Sequence, residues 1–194
     1  GGLAAIYGFG YLRGRTRGIA PMMFFFALLI ASMIGVVLAR DGVLFLVAWE
    51  VMSIAGFFLV TSEDEREEVR RAGMVYLIAS HVGVVFLFVL FGLFARRAGD
   101  FSFAAIAAHG VLSSDVANAC FCLAIVGFGT KAGFWGLHTW LPEAHPAAPS
   151  HVSATMSGVM IKMGIYGILR VLTFLGPPPL WWGITLVAVG ALSG

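Results

Sequence analysis

Long apolar runs dominate the chain, and short polar segments separate them. An α-helix needs about 20 mainly apolar residues to cross the hydrocarbon core of a bilayer, and each of the longest runs is about that long or longer. The runs predict membrane spans over residues 21–39, 43–62, 72–95, 115–140 and 152–175, with the start of a sixth span over 180–194. This pattern predicts an all-α, polytopic transmembrane helix bundle.

We expect residues 1–194 to form a single membrane domain that is a fragment of a longer chain. The sequence starts with Gly1 rather than Met, and it stops at Gly194 inside an apolar run. That run has about 15 residues, fewer than a full span needs.

Composition narrows the class of protein. Hydrophobic residues make up 60% of the chain and charged residues only 11%, against roughly a quarter charged in soluble domains. A soluble enzyme is therefore excluded. The net charge of +2 and the lack of a concentrated basic face exclude a nucleic-acid partner. The two cysteines, Cys120 and Cys122, form no haem or iron–sulfur motif, so we expect no redox cofactor in this chain.

The arginines in the short flanks of the spans indicate an orientation. Six lie on the side that precedes the first span and four lie on the other side. Because positive residues are enriched in cytoplasmic loops, the first side is predicted to be cytoplasmic. The first set is Arg13, Arg15, Arg17, Arg66, Arg70 and Arg71, and the second is Arg40, Arg96, Arg97 and Arg170. We expect a multi-pass protein of a bacterial-type inner membrane.

Four ionisable residues lie inside predicted spans, where a charge is expensive and is therefore a candidate for function. They are Glu50, His81, Lys131 and Lys162. At about 1.5 Å per helical residue, all four fall roughly 14–18 Å from one side, which is near mid-depth. A Glu–Lys pair in an apolar surround stabilises both charges, and separating the pair releases the lysine proton more easily. Four ionisable residues at a similar depth predict a proton relay. The relay runs across Glu50, Lys131 and Lys162, with His81 as a secondary candidate.

Less specific interpretations remain open for each of these residues. Glu50 and Lys131 could form a static buried ion pair that only fixes helix packing. Lys162 could extend its ammonium to the membrane interface. His81 could be a hydrogen-bonded structural histidine.

The end of the fourth span combines helix-breaking residues with histidines. Glycines surround Lys131 and Pro142 follows, which predicts a broken helix, as transporters have at ion sites. Three prolines between residues 141 and 150 predict an irregular segment. The cluster of His138, Glu143, His145 and His151 lacks known metal-ligand spacing, so we expect no metal. His138 is instead a secondary candidate for lining a proton path.

The motifs in this region resemble those of the antiporter-like proton-pumping subunits found in respiratory complex I, Mrp antiporters and group 4 membrane-bound hydrogenases. Within this family they are most similar to the hydrogenase-4 and formate hydrogenlyase subgroup. The matching segments are WEVMS (49–53), GTKAG (129–133), LHTWLPEAH (137–145), APSHVSA (148–154) and IKMGIYGILR (161–170).

The resemblance implies a larger fold of about fourteen helices with two inverted five-helix repeats, of which this chain would be the first. It implies that Glu50 is the helix-five glutamate, Lys131 the lysine of the broken helix and Lys162 the lysine that receives the proton. One departure is Ser157, which stands where some members of the family have a histidine.

Together these arguments predict a non-redox, proton-translocating membrane subunit of a redox complex that resembles NADH:quinone oxidoreductase or hydrogenase-4. Other membrane and peripheral subunits, the lipid bilayer and protons (or Na⁺) are the expected partners. Two alternatives stay open. One is an Mrp-type cation/proton antiporter subunit, and the other is a structural subunit whose buried pair only stabilises packing.

Overall fold

The computed structural model describes residues 2, 8, 18–109 and 112–193, and helices with short connections make up almost all of this part. The helices are α1 (Ile19–Leu38), α2 (Gly42–Val60), α3 (Glu67–Ala98), α4 (Phe103–Ala108), α5 (Ser114–Ala132), α6 (Leu141–Ala147), α7 (Ser150–Leu175) and α8 (Leu180–Ser193). One turn of α7, Met156–Met160, is π-helical.

Five of these helices, α1, α2, α3, α5 and α7, are long and apolar enough to cross a membrane. The predicted all-α transmembrane bundle is therefore confirmed. The shorter α8 occupies the run in which a sixth span was predicted to start. Arg13, Arg15 and Arg17, on which the predicted orientation partly rests, lie outside the described residues.

A tight connection makes α1 and α2 into a helical hairpin. Asp41 caps α2, because its carboxylate accepts a hydrogen bond from the Leu44 amide at 2.8 Å. Farther along the pair, a Cβ on Gly35 would lie 3.2 Å from the Cβ of Ala48, so the two helices approach closely. The hairpin holds α2, and with it Glu50, against the rest of the bundle.

Glycines also bring α5 close to its two neighbours. A Cβ on Gly83 of α3 would lie 3.1 Å from the Gly127 carbonyl oxygen of α5. A Cβ on Gly164 of α7 would lie 2.5 Å from the Phe128 carbonyl oxygen. Small residues at such crossings let transmembrane helices pack closely. As a result α5, which carries Lys131, is fixed between α3 and α7.

The break after Lys131 is where the structure and the predicted spans differ most. The span predicted over 115–140 contains a helix that ends at Ala132, because Gly133 adopts a left-handed φ of 73°. The proline-rich segment expected to be irregular forms the short helix α6 instead. Its Pro142 lies in the first turn, where the missing amide hydrogen costs no helical bond.

Candidate functional site: a buried lysine in a hydroxyl cradle

Two helices supply hydroxyl groups that face the end of α5. On α2, Ser53 lies one turn beyond Glu50, so both residues occupy the same side of the helix. On α3, Tyr76 and Ser80 are four residues apart and share a side in the same way. All three hydroxyl-bearing residues are buried.

The broken end of α5 delivers Lys131 to these groups. Gly133 ends the helix, and the Phe134 amide then returns to donate to the Gly129 carbonyl at 3.0 Å. The Trp140 indole nitrogen donates to the Thr130 carbonyl at 2.8 Å, which satisfies a carbonyl at the broken end. These bonds anchor the connection between α5 and α6 around the lysine.

Lys131 is 3% exposed, and its ammonium is fully hydrogen-bonded. An ammonium has three N–H donors, and Nζ lies within hydrogen-bond distance of three hydroxyl oxygens: Ser53 Oγ at 2.9 Å, Tyr76 Oη at 3.1 Å and Ser80 Oγ at 3.2 Å. Nζ also lies 4.8 Å from the centre of the Tyr76 ring, close enough for a cation–π contact. We call this set of three hydroxyls the hydroxyl cradle.

Glu50 contacts a different partner. Its Oε2 lies 3.5 Å from Nε2 of His81, and the two side chains are 22% and 51% exposed. Within the described chain, Glu50 and Lys131 form no direct ion pair within 4 Å. The two are nevertheless linked, because Ser53, which bonds Lys131, lies only about 4.5 Å along the helix axis from Glu50.

Lys162 is not part of this arrangement. Lys162 lies on α7, and its side chain is exposed in the described structure. Its neighbour Gly164 packs against α5, and residues two apart point to different sides of a helix, so Lys162 faces away from α5. The hydroxyl cradle contacts α7 through Tyr76 instead. The Tyr76 hydroxyl lies 3.7 Å from Sδ of Met160, in the π-helical turn of α7.

The histidines near the break have separate surroundings. The Gly136 amide donates to Nδ1 of His138 at 3.2 Å, beside the broken helix. His145 Nδ1 lies 2.9 Å from the Ser153 hydroxyl, and its Nε2 lies 3.5 Å from the Ser157 hydroxyl. His151 is buried, with its ring 5.4 Å from that of Phe26. Among the described residues, no group of three or more metal-ligating side chains comes together.

Ser53, Tyr76 and Ser80 were not among the site residues predicted from the sequence. Helical spacing contained a signal for them, since Ser53 follows Glu50 by three residues and Ser80 follows Tyr76 by four. The number of hydroxyls that reach Lys131 depends, however, on how α2, α3 and α5 are rotated against one another. That rotation is set by the packing of the three helices.

A membrane-spanning bundle with a buried lysine at a broken helix is typical of ion-translocating proteins. Residues 39–194 match the family described as "NADH:quinone oxidoreductase/Mrp antiporter, TM". The chain belongs to this family of antiporter-like membrane subunits, as its motifs predicted.

Two relatives from Escherichia coli (strain K12) agree with the subgroup. The chain is 43% identical to hydrogenase-4 component B over 195 residues, which cover 98% of this chain and 29% of that protein. It is 30% identical to formate hydrogenlyase subunit 3 over 169 residues, which cover 86% of this chain and 26% of that protein.

A solved structure shares the fold. The membrane-bound sulfane sulfur reductase, an archaeal respiratory membrane complex, contains a chain with a TM-score of 0.74 and 25% identity. The match covers 87% of this chain and 35% of that one. The chain thus spans about a third or less of each of these three proteins.

Proposed function

We propose that this chain is part of a proton-translocating subunit of a redox-driven complex of the bacterial inner membrane, and that Lys131 carries the proton. The observation that supports this most is the buried ammonium of Lys131, which is held by three hydroxyls and, among the described residues, has no carboxylate within 4 Å. A static ion pair has a fixed counter-charge. A lysine held by neutral hydroxyls loses a proton as the ammonium and regains it as the amine, without leaving a buried carboxylate unpaired.

Glu50 supplies the electrostatic control in this proposal. The Glu50 carboxylate is close enough to stabilise the Lys131 ammonium, and its distance from Lys131 depends on the relative position of α2 and α5. A redox-driven movement in partner subunits that changes this distance would load or discharge Lys131. The discharged proton would pass towards α7 and Lys162, along the side of α5 where Tyr76 meets Met160.

Partner subunits follow from the same proposal. The matched proteins are named as parts of larger assemblies, hydrogenase-4 component B and formate hydrogenlyase subunit 3. The matched structure is that of a respiratory membrane complex. We propose that other membrane and peripheral subunits hold the redox centres and that this chain contributes only proton transfer. The exposed Lys162 would then face another part of the assembled subunit.

Proton uptake into inverted membrane vesicles tests the proposal, using the full-length subunit in its assembled complex. Lys131→Ala is expected to abolish redox-driven uptake by this subunit while the complex remains assembled. Arg96→Ala, which removes an exposed cation at the end of α3, is the matched control and is expected to leave uptake unchanged. Normal uptake in Lys131→Ala would overturn the proposal.

A cation/proton antiporter subunit is the second candidate, because the matched family includes Mrp antiporters. It predicts Na⁺-dependent proton movement in vesicles that receive no electron donor. The redox-driven subunit predicts proton uptake only with the donor present and independent of Na⁺.

A further inference from the structure

The contact between Glu50 and His81 differs from an ordinary ion pair, because the other nitrogen of the His81 ring is also hydrogen-bonded. We propose that these two side chains share one proton and form a second proton-binding site, with His81 as the positioning residue for Glu50. This inference rests on the proposed function, because it gives the Glu50 side of the relay a defined protonation chemistry.

The hydrogen bond on the other side of the His81 ring fixes its tautomer. Nδ1 of His81 lies 2.9 Å from the Leu77 carbonyl oxygen, one helical turn back on α3. A carbonyl oxygen only accepts hydrogen bonds, so Nδ1 carries a hydrogen and donates it. In neutral His81 the remaining nitrogen, Nε2, therefore has a bare lone pair directed at Glu50.

In our proposal, a proton lies between Nε2 and the carboxylate. Two acceptor atoms repel each other, yet Nε2 and Oε2 of Glu50 are 3.5 Å apart. The contact is attractive if Nε2 is protonated and faces a carboxylate, or if Oε2 is protonated and donates to the neutral ring. Both arrangements hold the same single proton, so the two side chains form one proton-binding site.

The apolar surroundings of the pair strengthen the electrostatic effect of this proton on nearby charges. The pair lies on a face where α2 and α3 present apolar side chains, among them Val47, Ile54 and Phe88. Oε1 of Glu50 is buried and has no hydrogen-bond partner within the described chain. In such an apolar site, charges interact more strongly than they do in water.

Few other charged groups compete for Glu50. The packed helix α1 has no titratable residue. On α6, Glu143 lies 3.8 Å from Arg71, and His145 bonds Ser153. Within residues 18–109 and 112–193, the titratable groups that interact with Glu50 besides His81 are Lys131 of α5 and Tyr76 of α3.

The charge balance links the pair to Lys131. With its proton, the pair has no net charge, either as imidazolium with carboxylate or as neutral ring with carboxylic acid. Without it, the pair has a net charge of −1, about one helical turn from the hydroxyl cradle. Release of the shared proton therefore strengthens the electrostatic stabilisation of the Lys131 ammonium, and return of the proton weakens it.

Infrared titration of the resting, assembled complex with the full-length subunit tests this inference. The readout is the C=O stretching band of protonated Glu50, identified as the band that Glu50→Gln removes. Gln keeps a polar group at the position of Nε2, whereas Asn keeps one at the position of Nδ1, and neither side chain titrates. In His81→Gln and His81→Asn, the pH midpoint of the band is expected to move by about one unit or more.

The matched control is His109→Gln, which changes an exposed histidine outside the membrane spans and is expected to leave the midpoint unchanged. A midpoint in both His81 variants equal to that of the wild type would overturn the inference. The outcome is separable from the proposed function, because the titration is made without turnover. Normal pumping by Lys131→Ala would refute the relay, and the infrared midpoint would still decide whether the proton is shared.

Discussion

At the scale of single residues, the buried lysine is stabilised by hydroxyl dipoles and by a tyrosine ring. Each of the three N–H groups of the Lys131 ammonium has an acceptor within 3.2 Å. Hydrogen bonds to charged groups contribute more than neutral ones, and a buried donor left without a partner costs about 1–3 kcal/mol or more. Small changes in the cradle should therefore alter both stability and proton transfer.

Tyr76→Phe tests the cradle while keeping the aromatic ring. The variant removes the hydroxyl that accepts from Lys131 and contacts Met160. We expect it to lower the free energy of unfolding by about 1–3 kcal/mol and to reduce redox-driven proton uptake severalfold. Thermal unfolding and vesicle uptake measure the two effects.

Tyr166→Phe is the matched control, because the Tyr166 hydroxyl donates to the Val37 carbonyl at 3.2 Å and does not contact Lys131. It is expected to retain normal uptake. Equal uptake in the two tyrosine variants would mean that the Tyr76 hydroxyl has no part in proton transfer.

The helices that carry the ionisable residues could be predicted from the sequence, but the partners of these residues could not. Counting residues along each span placed Glu50, His81 and Lys131 near mid-depth. Helix rotation then decides which side chains meet, and here it brings Glu50 to His81 and Lys131 to hydroxyls. No spacing along one helix contains that information.

At the scale of secondary structure, the break after α5 determines where the lysine lies. Gly133 and Gly136 both have positive φ values, 73° and 84°. A side chain in this conformation costs roughly 1–2 kcal/mol. A Cβ on Gly133 would in addition overlap Leu141 at the start of α6, whereas one on Gly136 would meet nothing within 4 Å.

Three alanine substitutions should therefore rank in a defined order. Gly133→Ala combines backbone strain with overlap and is expected to destabilise most. Gly136→Ala adds only the strain, about 1–2 kcal/mol. Gly92→Ala, in a helix with open space around it, is expected to be neutral or to stabilise by up to about 1 kcal/mol. Thermal unfolding of the purified complexes measures the series, and a different order would mean that the break is not strained as described.

The crossing of α5 and α7 gives a second test at this scale. A Cβ on Gly164 would lie 2.5 Å from the Phe128 carbonyl oxygen and 2.7 Å from the Ala132 amide nitrogen, so Gly164→Ala must separate the helices. Such overpacking costs about 1–3 kcal/mol. Gly158→Ala, on the same helix with nothing within 4 Å, is the control. Equal unfolding temperatures for the two variants would contradict the close crossing.

Element ends were harder to predict than the spans themselves. The run of apolar residues continues past Lys131, so hydropathy alone extended the fourth span to residue 140, although glycines predicted a break nearby. α3 starts at Glu67, before the apolar run, because the acidic side chains of Glu67 and Glu68 in its first turn suit the helix N-terminus. The π-helical turn Met156–Met160 has no counterpart in the apolar pattern.

At the scale of the whole molecule, the described helices enclose Lys131 but leave Lys162 exposed. The chain spans 29% of the length of hydrogenase-4 component B. The resemblance predicts Lys162 as the acceptor of the proton from Lys131. In our account a proton leaves Lys131 towards α7 by way of Tyr76 and Met160, while Glu50 and His81 act from α2 and α3.

The central claim is that the buried ammonium of Lys131 transfers protons and is not a packing element. The most direct measurement is the number of protons that inverted vesicles take up per electron. The vesicles contain the assembled complex with Lys131→Met in the full-length subunit, and thermal unfolding is measured on the same preparation. Methionine fills a similar volume without a charge and without the three N–H donors that bind the hydroxyl cradle. The account predicts an assembled complex that takes up fewer protons per electron. An unchanged ratio of protons to electrons would contradict it.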